Sequence, residues 1–138
     1  ARIRSIEEKQ GQMIEDDIQD DYFGLINYGV MSLIQCDRQH FDLVEDYEWI
    51  RESYTAQREQ VRALMIKKNH DYGEAWRAMR ISSITDLILM KLYRIKSIET
   101  SDEHPKVSES VESGYADIIN YSIFALILMG EDRSNLRQ

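Results

Sequence analysis

Helix breakers are scarce in this chain. One proline, Pro105, and six glycines are spread over 138 residues. Turns and sheet edges need such residues, and β-branched alternation is rare, so the pattern predicts an all-α domain. Apolar residues recur at helical spacing in several stretches. Over Tyr47 to Asn69, the residues Tyr47, Ile50, Tyr54, Val61, Leu64 and Met65 fall mainly on one face. A helix over Ser83 to Ile98 carries Ile84, Leu87, Ile88, Leu92, Ile95 and Ile98, with Ser83 or Thr85 as its expected N-cap. A further helix over Ser108 to Met129 turns Val111, Tyr115, Ile118, Ile119, Ile123, Leu126 and Ile127 inward. Asp20 to Gln35 reads as another helix, and Arg2 to Gln10 as the end of one. The tight turn His70-Asp71-Tyr72-Gly73 precedes a short helical turn over Glu74 to Met79.

Composition narrows the partners. Lys plus Arg is 17 against 25 Asp plus Glu, a net charge of −8. Duplex nucleic acid is therefore excluded as a main partner, because phosphate binding on that scale needs a basic face. Small nucleotides stay open, since a metal ion can bridge carboxylates to phosphates. With one cysteine, Cys36, neither an intrachain disulfide nor a cysteine zinc cluster is possible; the thiol reads as buried or idle rather than catalytic. The apolar run Ile118 to Met129 is broken by Asn120, Tyr121 and Ser122 and falls short of a membrane span, so no membrane is expected. No leader is visible, and the expected compartment is the cytoplasm.

Two stretches repeat. Arg2-Ile-Arg-Ser-Ile-Glu7 returns as Arg94-Ile-Lys-Ser-Ile-Glu99 with five of six positions identical. Tyr22 to Ile34 returns as Tyr115 to Ile127 with six of 13 identical, Ile-Asn-Tyr among them. The offsets are 92 and 93, so the order and spacing are kept. This predicts a bundle made of one complete and one partial copy of a three-helix repeat. Residues 1–36 form the back half of a first copy, 37–53 a linker leading into a long helix, 54–130 the complete second copy and 131–138 a tail. The first copy lacks its front, so either about 40 or more residues are expected before it, or a second chain supplies the partners in a homo-oligomer. The apolar face of Ile26, Val30, Leu33 and Ile34 needs cover, from Ile118, Ile119 and Leu126 or from that second chain. The copies differ in their acids: Asp117 aligns with Gly24 and Glu112 with Gln19, while Asn120 matches Asn27. Either the second copy alone is functional, or a solvated face has drifted.

Asp117, Asn120 and Tyr121 interrupt an apolar helix, and buried polar groups cost free energy unless satisfied. Carboxylates from adjacent helices are natural ligands for magnesium; alternatively Asp117 pairs with Lys91 or Arg94, and Asn120 hydrogen-bonds between helices. Around the turn, Asp71 and Glu74 bring acids, and Lys67, Lys68, Arg77 and Arg80 bring cations able to hold phosphates. Tyr72 and Trp76 can stack on a base, although Trp76 reads more readily as core. His40 and His104 have no zinc-ligand spacing. No phosphate loop, dinucleotide fingerprint, nucleophile elbow or zincin motif occurs.

Three segments, KNHDYGEAW (Lys68 to Trp76), SITDLILMKLYRIKSIE (Ser83 to Glu99) and VSESVESGYADIINYSIFALI (Val107 to Ile127), together resemble the nucleotide modification associated domain, first type. The Arg2 to Ile34 stretch resembles the back half of the same domain. The resemblance implies a small helical domain that binds or acts on nucleotides near base-modification systems. The motif positions it carries over are Lys68, Asp71, Tyr72, Gly73, Lys91, Arg94, Glu112, Asp117, Asn120 and Tyr121. Related sequences often place an acid before the lysine matching Lys91, where this chain has Met90. More distantly, acids on several helices are similar to MazG-like all-α nucleoside triphosphate pyrophosphohydrolases, which use magnesium. The expected site therefore has Asp71, Glu112 and Asp117 on a magnesium ion, with Lys68, Tyr72, Lys91, Arg94 and Asn120 on a nucleotide. Its alternative is a non-catalytic helical interaction module.

Overall fold

A computed structural model describes residues 15–37, 47–100 and 107–136. They form four α-helices and a short 3₁₀ turn: α1 (Glu15–Asp37), α2 (Tyr47–Tyr72), the 3₁₀ turn (Ala75–Ala78), α3 (Ile81–Glu99) and α4 (Val107–Leu136). Among the described residues there are no strands, and the fold is an all-α helical bundle. The expected helix over Arg2 to Gln10 lies outside the described residues. So do the linker residues before Tyr47, together with His40 and His104.

The hub is α4, against which α1, α3, α2 and the 3₁₀ turn all pack. This position explains why its sequence is apolar nearly all round. Two clusters of buried residues form on its sides. One joins Ile18 and Tyr22 of α1 to Ile84, Ile88 and Ile95 of α3 and to Val111, Ile118 and Met129 of α4. The other joins Val30, Leu33 and Ile34 of α1 to Val61 of α2 and to Ala116 and Ile119 of α4. The apolar face of α1 is thus covered within the chain by Ile119, while Ile118 and Leu126 belong to the other cluster. By length and composition alone, Val111–Asp132 is apolar enough to cross a membrane. More than half of it is buried by the other helices, as befits a core helix.

Three local features depart from the sequence expectations. Neither Ser83 nor Thr85 caps α3, which begins two residues before Ser83 with Arg80 as N-cap and no side-chain cap bond. Thr85 instead sits in the first turns, donates to the Ile81 carbonyl (3.1 Å) and accepts from the hydroxyl of the fully buried Tyr22 (2.7 Å). A tertiary partner has redirected a residue with good capping chemistry. Second, α4 continues past Met129 to Leu136. Third, α2 is long but barely buried: among its described side chains only Val61 is fully inside.

Close helix approach accounts for one glycine. A Cβ on Gly29 would lie 2.6 Å from Ile119 Cγ1, so α1 and α4 touch backbone to side chain there. At the other end of the bundle, α2 stops because Gly73 takes φ 61° and its N–H returns to the Asn69 carbonyl at 3.0 Å. Such a left-handed residue ends many helices. Glu74 follows with φ 58°, an unusual conformation for a side chain with a Cβ.

Candidate functional site

The turn after α2 is fastened by its own motif residues. Asn69 at the end of α2 donates from Nδ2 to Glu74 Oε1 (3.3 Å) and accepts at Oδ1 from the Trp76 indole N–H (3.0 Å). Arg77 donates to Glu74 Oε2 at 2.5 Å and also to Glu131 on α4. The Glu74 carboxyl is held below its usual pKa, first by the Arg77 hydrogen bond and then by Asn69. Phe124 stacks on the Trp76 indole with centroids 4.4 Å apart and planes within 7°. The Arg77 guanidinium lies over the same ring, 4.5 Å from its centroid. Trp76 thus has a stacked ring, a cation over its indole and a partner for its N–H within the chain. It anchors the turn on α4 through Phe124. The segment HDYGEAW is a docking clasp in this respect, and its partners Phe124 and Glu131 lie too far along the chain for any local sequence signal.

Clasping the turn fixes the end of α2, and with it Lys68. Lys68 Nζ donates to Asp117 Oδ1 at 2.7 Å, and Lys91 Nζ of α3 contacts Asp117 Oδ2 at 2.9 Å. One carboxylate on the hub helix is thus bracketed by ammonium groups from two other helices. The Asp117 side chain keeps 10% of its surface exposed, against 45% for Lys68 and 32% for Lys91. The lysines lie on the open side, and the trio carries one excess positive charge in a chain of net −8. A paired charge this deep is tolerated because each oxygen has its own cation; removing one partner is costly.

One helical turn beyond Asp117 is Asn120, at 4% exposure. Among the described residues, neither its Oδ1 nor its Nδ2 has a hydrogen-bond partner. An orphaned buried amide costs about 1–3 kcal/mol, so its presence calls for a partner in some state of the protein. The nearby Ser122 shows the usual alternative: also fully buried, it donates to the Ile118 carbonyl at 2.7 Å.

The expected magnesium trio does not assemble. Among the described residues, no group of three carboxylate, imidazole or thiol side chains is placed to hold a metal ion. Asp71 is exposed beside His70, with 3.4 Å between Oδ1 and Nδ1. Glu112 is five residues before Asp117, roughly 140° away around the helix, and lines a groove of about 330 Å³ with Leu33, Trp49 and Gln57. Asp117 has both oxygens committed to ammonium groups, a donor arrangement that does not fit a metal. The structure does bring Lys68, Lys91 and Asp117 together, with Asn120 one turn away. Arg94 is exposed on the turn of α3 after Lys91, and Met90 is exposed beside it. The side chain of Tyr72 lies outside the described residues. Of the two alternative partners the sequence offers Asp117, Lys91 and Arg94, the structure takes Lys91, and it adds Lys68, which the sequence reading does not pair with Asp117.

Cys36 is exposed rather than buried. Desolvation of the thiol, then the carboxylates of Glu112 and Glu99, push its pKa up, which disfavours the nucleophilic thiolate.

These features define an all-α bundle whose hub helix carries a lysine-bracketed aspartate beside an unsatisfied amide. The family model described as "Nucleotide modification associated domain 1" matches residues 1–36 and 68–129, more than half of the chain. The chain belongs to that family, which gives it a role related to nucleotides. The second matched block begins at Lys68 itself and contains Lys91, Asp117 and Asn120. No curated protein and no solved structure matches the chain.

Proposed function

We propose that this domain binds a nucleotide through its phosphates at Lys68 and Lys91. The observation that carries the reading is the convergence of two ammonium groups on one deeply set carboxylate, with an excess positive charge facing outward. Lysines from separate rigid helices present point charges suited to phosphate oxygens. Arg94, one turn beyond Lys91, extends the cationic strip along α3. Magnesium enters this reading as the counter-ion the nucleotide brings on its own phosphates. A magnesium-dependent pyrophosphohydrolase needs a metal held by protein carboxylates, and the donor set does not fit one, so the proposal stops at binding.

The test is thermal stabilisation and calorimetry with the common ribo- and deoxyribonucleoside triphosphates, with and without magnesium. Binding that is lost in Lys68→Ala/Lys91→Ala supports the reading. No binding of any of them to the wild-type protein rejects it. The alternative, a non-catalytic interaction module, draws on the fact that Asp117 is already fully paired inside the chain. Under it, the lysine substitutions lower stability, and no nucleotide changes the melting temperature of any variant.

A further inference from the structure

Asp117 is an expected metal ligand, yet in the structure both its oxygens meet ammonium groups. It does what a bound phosphate would do: it offers one oxygen to each of two ammonium groups, at 2.7 and 2.9 Å. We infer that Asp117 is the resident anion of a polyphosphate site. An incoming phosphate chain displaces its carboxylate from Lys68 and Lys91, and the freed carboxylate is received by the Nδ2–H₂ of Asn120. The inference rests on the phosphate-binding reading above.

Three observations point the same way. A carboxylate driven off its lysines at this depth needs a new donor, since an unpaired buried charge is strongly unfavourable. Asn120 sits one helical turn along the same helix, a spacing at which side chains meet, and its amide is buried with no partner among the described residues. The lysines are the exposed members of the trio and Asp117 the covered one, so a ligand meets the ammonium groups first. The orphaned amide, otherwise a pure cost, becomes the second berth of a two-position side chain. Ligand affinity is then set by how firmly Asp117 holds the lysines, because only the unlocked fraction binds.

The experiment is isothermal calorimetry in EDTA with two probes, inorganic tripolyphosphate and a nucleoside triphosphate, after each variant's melting curve has shown that it folds. Asp117→Asn is expected to bind tripolyphosphate about tenfold tighter than wild type, because the competing anion is gone. Asn120→Leu is expected to bind several-fold more weakly, and to have no effect when introduced into Asp117→Asn. In wild-type protein, the Asn120 side-chain amide pair, assigned by its loss in Asn120→Leu, is expected to shift in ¹⁵N correlation spectra on saturation with tripolyphosphate. This last readout carries the test if Asp117→Asn does not fold. If Asp117→Asn binds either probe more weakly than wild type, or the Asn120 amide does not move, the displacement is overturned while phosphate binding stands. If tripolyphosphate binds with this pattern and the nucleoside triphosphate does not, the displacement stands and the nucleotide reading falls. If neither probe binds in EDTA, the displacement is rejected, and the nucleotide reading falls with it unless the magnesium-containing titration shows binding.

Discussion

α1 and α4 carry the same Ile-Asn-Tyr segment in matched thirteen-residue stretches, and the bundle treats them in opposite ways. Tyr22 is fully buried and hydrogen-bonded to Thr85, whereas its counterpart Tyr115 is half-buried with a long contact to Glu99 (3.5 Å). Asn27 is exposed and accepts from the Tyr54 hydroxyl at 3.4 Å; Asn120 is buried and unpartnered. Tyr28 is 71% exposed, while Tyr121 is half-buried. Gly24 faces open space where Asp117 faces two lysines. Similar letters give one helix a packing task and the other a charged centre. The difference comes from neighbours: α4 is packed by α1, α2, α3 and the 3₁₀ turn, whereas α1 packs mainly on α4 and α2 and reaches α3 through Ile18 and Tyr22.

The comparison breaks most visibly at the tyrosines. Tyr22→Ala is expected to cost about 3–5 kcal/mol in urea denaturation, the range for losing a large buried aromatic, and Tyr115→Ala distinctly less. Equal losses would mean that the two helices share one environment. Next come the glycines. Gly29→Ala forces a methyl group onto Ile119 and should cost about 1–3 kcal/mol, whereas Gly24→Ala meets nothing within 4 Å and should gain up to about 1 kcal/mol of helix propensity. The asparagines should differ in sign. Asn120→Leu is expected to raise ligand-free stability by about 1–2 kcal/mol by removing an unsatisfied buried amide, while Asn27→Ala stays within about 0.5 kcal/mol of wild type. A destabilised Asn120→Leu would show that the amide is already satisfied.

The smallest effect concerns Cys36 at the end of α1, which faces Glu112 on α4. Its folded pKa is raised above the ordinary value, so the protonated thiol is favoured by folding. The stability this contributes is complete below the ordinary cysteine pKa and is lost as pH rises past it toward the folded value. Alkylation of the native protein near pH 8 should accordingly be slower than that of the unfolded chain, despite the exposure of the residue. Faster alkylation in the native state would contradict the raised pKa.

Much of the fold was legible because helical periodicity is a local property. The spans of α1, α2 and the core of α4 follow from apolar spacing and from the turn at Gly73. The cap of α3 was not legible, because Thr85 is claimed by Tyr22, 63 residues away. At the site, residue identities were informative and groupings were not. Lys68, Lys91, Asp117 and Asn120 were all singled out, yet Glu112 and Asp71 were assigned to the same ion. Helix geometry separates Glu112 from Asp117, and Asp71 stays on the exposed end of α2. Trp76 reads as core from the sequence, and it packs on the core, but its partner Phe124 and the Glu131 partner of Arg77 come from the far end of the chain and leave no local signal.

The shallow seating of α2 has a consequence for opening. A helix of 26 residues whose described side chains include a single fully buried one, Val61, draws little of its hold from the core. Its far end is tied to α4 through Lys68 and, just beyond, through the turn that carries Arg77. Amide protons along its first half should therefore exchange with solvent through a detachment well below the free energy of global unfolding, while those of α4 report the whole molecule. Exchange should slow toward Lys68, so that the lysine delivered to Asp117 sits on the persistent end of an otherwise releasable helix.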